Sequence, residues 1–214
     1  MTIIDISPKI SAASPVFPGD QPFTREESMS FSQGDHLCLS AIRSTVHIGA
    51  HADAPNHYHQ NGVSIDQRDL HFYLGPCQVV EVSHVGARRL QADDFDLAAI
   101  TTPRVLFKTK SFRHYQTFQN EFTSLSPEVI QRLATKGVKL IGIDTPSVDP
   151  ADSKELESHQ EIYRTDMAIL EGLDLDQVAA GPYILAALPL AIQDGDASPV
   201  RAVLVDQDIK LTAE

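Results

Sequence analysis

Positive charge is scarce in this chain. Its 214 residues hold 17 Lys and Arg against 29 Asp and Glu, a formal net charge of −12. A surface of that sign repels nucleic-acid backbones and anionic membranes, so neither is expected as a partner. Cysteine is scarcer still. Cys38 and Cys77 stand far apart with no CxxC spacing, so the expectation is two free, buried thiols in a reducing compartment, the cytoplasm, with a single disulfide as the alternative. No apolar run approaches membrane-spanning length. The first residues, Met1 to Ile6, lack the basic start and long apolar core of a secretion signal. Internal repeats, low-complexity tracts and linkers are absent as well. The length suits one substantial core, hence a single domain over residues 1–214.

What is present is concentrated histidine. Four of the nine histidines lie between Val46 and His59, with Asp53 among them. Imidazole and carboxylate together are the donors of zinc or another borderline divalent ion. His47, His51, Asp53 and His57 are all odd-numbered, so an extended chain projects them to one side. Gly49, Ala50, Ala52 and Ala54 between them are small enough for backbone to pass close to an ion. The spacing predicts a strand from about Cys38 to Ile48 whose end bends around a metal. A helix would pair His47 with His51, but it would turn Asp53 away, be weakened by Gly49 and end at Pro55. His59 shares the ligand parity but leads into the Asn61-Gly62 turn, which suits a solvated or supporting role. His36, His71, His84 and His114 have no clustered partners and are assigned structural roles.

Elsewhere the pattern is rich in strands. Thr2–Ile6, Thr24–Ser32, Cys77–Val82, Arg104–Thr109, Val138–Asp144, Tyr183–Leu190 and Ser198–Val205 read as strands. Gly75-Pro76 reads as a break before the third of these. Ser126-Pro127-Glu128 opens a helix with its N-cap, first-turn proline and favourable acid. Leu156, His159 and Tyr163 recur at helical spacing. Gln91–Leu97 and Asp174–Ala180 read as short helices. Asp144, at a strand end, reads either as a site residue or as a loop cap. Glu171 interrupts the apolar run Met167–Leu173, either as a strand-end rim residue or as a buried acid needing a partner such as a metal. Pro15, Pro18 and Pro22 stiffen a loop carrying Phe17, a candidate substrate wall. The sum is an α/β chain with a mixed sheet or barrel core.

These residues resemble the cyclase-like metal-dependent hydrolases, and within them the bacterial kynurenine formamidase (arylformamidase) group. The HxGxHxDxPxH motif stands as His47-Ile48-Gly49-Ala50-His51-Ala52-Asp53-Ala54-Pro55-Asn56-His57. The likeness continues in Pro15–Asp20, Asp144–Pro150, Ile169–Leu173, Ala187–Leu190 and Asp196–Arg201, and so spans nearly the whole chain. It implies a swivelling β/β/α fold and two divalent metal ions, most simply Zn2+, with Mn2+ also suited to the donors. On this likeness His47, His51 and Asp53 bind one metal, His159 binds the second, Asp53 and Glu171 contact both, and His57 carries protons. Phe17 stands where many members of the group have Trp, which leaves an arene to stack on but removes the indole N–H.

The resemblance further implies a homodimer and hydrolysis of the formamide of N-formyl-L-kynurenine to L-kynurenine and formate, in tryptophan breakdown, by a metal-activated hydroxide. Two rivals stand beside it: the same chemistry on another cyclic or aryl amide such as isatin, and a metal-dependent binding protein without turnover. A structural zinc site fits poorly, because such sites use Cys and His without carboxylates.

Overall fold

A computed structural model describes residues 2–112 and 117–206; His114 lies outside them. In chain order the strands are β1 (Ile3–Asp5), β2 (Thr24–Met29), β3 (Leu39–Arg43), β4 (His51–Asp53), β5 (Leu74–Glu81), β6 (Arg89–Leu90), β7 (Arg104–Lys108), β8 (Ser124–Leu125), β9 (Leu140–Ile143), β10 (Ala168–Glu171), β11 (Gly181–Ala186), β12 (Ala197–Pro199) and β13 (Val203–Asp206). The α-helices are α1 (Pro55–Tyr58), α2 (Pro127–Thr135) and α3 (Glu157–Arg164). Nine strands form one mixed sheet in the order β1-β13-β11-β5-β7-β9-β10-β4-β12. The neighbours β5, β7, β9 and β10 run parallel to one another; the remaining pairs in this sheet are antiparallel.

The sheet has to curl. β12 is an edge strand and β13 lies second from the opposite edge, yet only Val200, Arg201 and Ala202 join them. At about 4.8 Å per strand a flat sheet would separate them by roughly 34 Å, whereas this link spans at most about 14 Å. Backbone bonds from Val200 N to Ala50 O and from Ile6 N to Ala202 O, 2.9 and 3.0 Å, tie the two ends together. The expected single strand Ser198–Val205 is therefore two strands that change partners at this crossing.

β7, β9 and β10 are buried on both faces and alternate between two apolar clusters, as strands with both faces covered do. Leu106, Leu140 and Leu170 point into the space enclosed by the curl, with Ala52, Leu185 and Leu204. Val105, Phe107, Ile141, Ile143 and Ile169 point outward beneath α2 and α3. α2 is amphipathic: Val129, Ile130 and Leu133 are fully buried, each worth about 1.5–3 kcal/mol. The Ser126 side chain caps its start, accepting from Val129 N at 3.4 Å.

Several expectations need correction. Gly75 and Pro76 lie inside β5, because this part of the strand pairs with β11 alone and β7 joins only from Gln78; proline is tolerated on such an edge. Residues 174–180 form turns without a helix, and residues 91–99 make two 3-10 turns. Cys38 is exposed where a buried thiol was expected; Cys77 is buried, and both are free.

Candidate metal centre

The histidine segment is neither one strand nor one helix. His47 sits in a bend, His51–Asp53 is β4, and Pro55 opens the short α1 that carries His57. β4 lies between β10 and β12, with His51 directly opposite Glu171 and Asp53 opposite Ile169. His51, Asp53 and Glu171 therefore share the helix-covered face, and α3 lowers His159 onto it. Close approach is required where β10 ends: Gly172 has φ +64° and packs on the backbone of Gly49, itself at φ +60°.

The five expected metal-ligating residues are brought together. Two groups of donor atoms, each within 4.8 Å of one another, share Asp53: His47, His51 and Asp53, then Asp53, His159 and Glu171. His51 Nε2 lies 3.5 Å from Asp53 Oδ1 and 3.4 Å from Glu171 Oε2. His159 Nε2 lies 3.5 Å from Asp53 Oδ2 and 3.6 Å from Glu171 Oε1. These separations are long for hydrogen bonds. They match donors on a common ion, since two ligands at 2.1 Å and a tetrahedral angle stand about 3.4 Å apart. His51 Nε2 and both oxygens of Asp53 are buried without an aligned hydrogen-bond partner. Orphaned polar atoms at such depth are costly unless something coordinates them. The donor set thus fits divalent metal on an observation independent of the motif.

Each histidine is held from behind. His51 Nδ1 donates to Gly49 O at 3.0 Å. His159 Nδ1 donates to Asp149 at 2.8 Å. His47 turns Nδ1 towards Asp53 and donates from Nε2 to Asp196, both at 3.0 Å. Glu171 Oε1 accepts from Val148 N at 2.8 Å. Asp149 and Asp196 were not singled out from their side-chain types alone; both lie in segments that carried the family likeness. Asp144 resolves as a loop cap, accepting from Thr109 N and Lys110 N at 2.9 Å.

Electrostatics repeat the geometry. Burial lowers the His47 pKa, but Asp53 and Asp196 outweigh it and hold the imidazole at about 9. His159, also opposed by burial, is held at about 10 by Asp149, Asp53 and Glu171. Burial opposes ionisation of Asp53, yet His47, His159 and His51 hold its carboxyl well below the usual range. Without metal, protons on His47 and His159 compensate the buried carboxylates; divalent ions would replace them. His57 goes the other way: burial lowers its pKa, Asp53 raises it, and His47 and His159 lower it further.

His57 stands beside His47, ring centroids 4.2 Å apart, with Nδ1 3.7 Å from Asp196. Both open on a cavity of about 370 Å³ walled by Phe17, Phe118, Phe122 and Pro146. Phe17 meets Phe118 edge to face at 5.3 Å. Phe118 and Phe122 were missed by sequence reasoning, although Phe112, Phe118 and Phe122 in one short stretch are a usable signal. His59 stacks on Tyr163 at 3.7 Å, away from the donor groups.

Residues 4–150 match a family model described as "Putative cyclase". The chain is 47% identical over 200 residues to the kynurenine formamidase of Bordetella petrii, covering 94% of this chain and 96% of that one. To the kynurenine formamidase of Delftia acidovorans it is 47% identical over 201 residues, covering 94% and 95%. A solved structure titled "potential metal-dependent hydrolase with cyclase activity" superposes with a TM-score of 0.83 at 29% identity, over 97% of this chain and 99% of that one. Isatin hydrolase A from Labrenzia aggregata shares the fold, with a TM-score of 0.80 at 22% identity over 96% and 94%. The curled mixed sheet is thus the expected swivelling β/β/α architecture of cyclase-like metal-dependent hydrolases. The chain belongs to the cyclase family, and its curated relatives at 47% identity are named kynurenine formamidases.

Proposed function

We propose that this chain is a metal-dependent amide hydrolase that cleaves the formamide of N-formyl-L-kynurenine, releasing formate and L-kynurenine. The observation that carries the reading is the pair of donor groups sharing Asp53, with orphaned atoms on Asp53 and His51, at the floor of an aromatic-walled cavity. The curated relatives' name supplies the substrate. His47, His51 and Asp53 would hold one ion, and Asp53, His159 and Glu171 the other. Zinc suits the mixed imidazole and carboxylate donors, and manganese is the second choice. Divalent ions there would supply charge that makes water nucleophilic near neutral pH and stabilises negative charge on a carbonyl oxygen.

The chain's own residues do the rest. Phe17, Phe118 and Phe122 stack on the substrate arene and exclude water around it. His57, neutral near pH 7 because its pKa is lowered, takes a proton from the attacking water. Water oxygen bonds to the formyl carbon and the C–N bond breaks. The same imidazole returns the proton to the departing aryl amine, which leaves poorly as an anion.

The working unit is a homodimer on this reading. The β2–β3 ribbon leaves Phe31 68%, Leu39 53% and Ile42 71% exposed, and a two-stranded ribbon is marginal on its own; a second copy would cover it. Free thiols suit a cytoplasmic setting. Steady-state hydrolysis of N-formyl-L-kynurenine against isatin tests the substrate. The formamide is expected to be turned over with the higher kcat/KM. Isatin turned over while the formamide is left intact overturns the assignment.

A further inference from the structure

The two carboxylates behind the histidines differ in a way that the ligand set alone does not demand. Asp149 is fully buried. Besides His159 Nδ1 it accepts from His159 N at 3.0 Å, Ser158 N at 3.1 Å and Arg89 Nη1 at 2.9 Å. Arg89 is itself fixed by Leu125 O and Ser158 Oγ. Asp196 has a side chain 53% exposed and reaches His47 Nε2 with one oxygen, which also faces His57. Each carboxylate stands behind the histidine of a different donor group.

We propose that Asp149 and Asp196 are positioning residues that set the two metal positions separately. Asp149 holds His159 as the Nδ1–H tautomer, so its Nε2 lone pair faces Asp53 and Glu171. Asp196 holds His47 as the Nε2–H tautomer, so its Nδ1 faces the neighbouring group. A carboxylate behind a ligating imidazole fixes the ring and raises its basicity, typically worth 10–100-fold in metal affinity. The buried Asp149, supported by four donors, exerts this effect in a low dielectric; Asp196 acts through solvent and exerts less. The inference rests on the metal reading above.

The test is a zinc titration of metal-stripped protein against a competing chelator, on the wild type, Asp149→Asn and Asp196→Asn, with thermal melting of each stripped protein. The wild type is expected to take two ions. Asp149→Asn should keep one at wild-type affinity and weaken the other 10–100-fold; Asp196→Asn should weaken one ion by less than tenfold. Nitrogen NMR of the zinc-loaded wild type gives a reading independent of whether a variant folds: His159 must carry its proton on Nδ1 and His47 on Nε2. Unchanged affinity for both ions in Asp149→Asn, or the opposite tautomers, overturns the proposal. Equal weakening of both ions with a lowered melting point also overturns it, by making the role structural. A wild type that binds two ions but leaves formamides intact overturns the substrate assignment and leaves this inference standing.

Discussion

Replacing Gly172 by Ala probes the joint between β10 and the histidine segment. Gly172 adopts φ +64°, and a Cβ there would lie 2.9 Å from the Gly49 carbonyl carbon and closer still to its oxygen. The left-handed conformation costs a non-glycine residue about 1–2 kcal/mol. The overlap is with backbone, which cannot swing aside like a side-chain tip, and overpacking of that kind costs about 1–3 kcal/mol. Together the loss is about 2–5 kcal/mol, a fall of roughly 4–20 °C in Tm for a chain of this size. The displaced oxygen is the one that accepts from His51 Nδ1, so zinc affinity should fall along with stability. Denaturant unfolding of the metal-stripped protein, paired with zinc titration, reads both. A loss below about 1 kcal/mol with wild-type zinc affinity would refute the reasoning.

Three further outcomes follow from the same geometry. His57→Ala should lower kcat by about 10²–10⁴-fold while metal analysis still finds two ions per chain; loss of an ion would make His57 a ligand instead. In the metal-free protein His47 and His159 are raised from 6.5 to about 9 and about 10, so the folded state binds their protons more tightly than the unfolded chain. That stabilisation is complete below pH 6.5 and is lost as pH rises through 9 to 10. Melting of chelated protein should therefore decline across that window while zinc affinity climbs, and a flat melting profile would contradict the coupling. In native protein a thiol reagent should modify the exposed Cys38 quickly and spare Cys77, whose thiol burial pushes up to about 12; two equally fast thiols would contradict its place inside β5.

The parts legible in the sequence were those written in local chemistry. α2 was readable because Ser126, Pro127 and Gly137 punctuate a 3.6-residue apolar pattern. β9 was readable because a strand covered on both faces is a continuous apolar run; β10 showed only as an apolar run interrupted by Glu171, with a strand end as one of two readings. The odd-numbered residues His47, His51, Asp53 and His57 announced a shared side, but the means differ from a straight strand: β4 covers only three residues, and a bend and a helical turn bring His47 and His57 alongside. His159 and Glu171 were ambiguous from spacing because they meet β4 only through sheet order and the descent of α3. Asp196 lies 149 residues from His47, and Asp149 reaches His159, ten residues on, across a turn-rich loop; no periodicity encodes either pair. The division of 197–206 into β12 and β13 escaped for a related reason: the break comes from closure of the curled sheet, and Val200 and Ala202 continue the alternation of apolar residues into Leu204.

The most direct test of the account is hydrolysis of N-formyl-L-kynurenine by purified protein, before chelation, after it, and after zinc is returned. The account predicts turnover that disappears with the metal and returns with it, saturating at two ions per chain. Turnover that survives complete removal of metal, or a protein that binds no metal at this site, would contradict it.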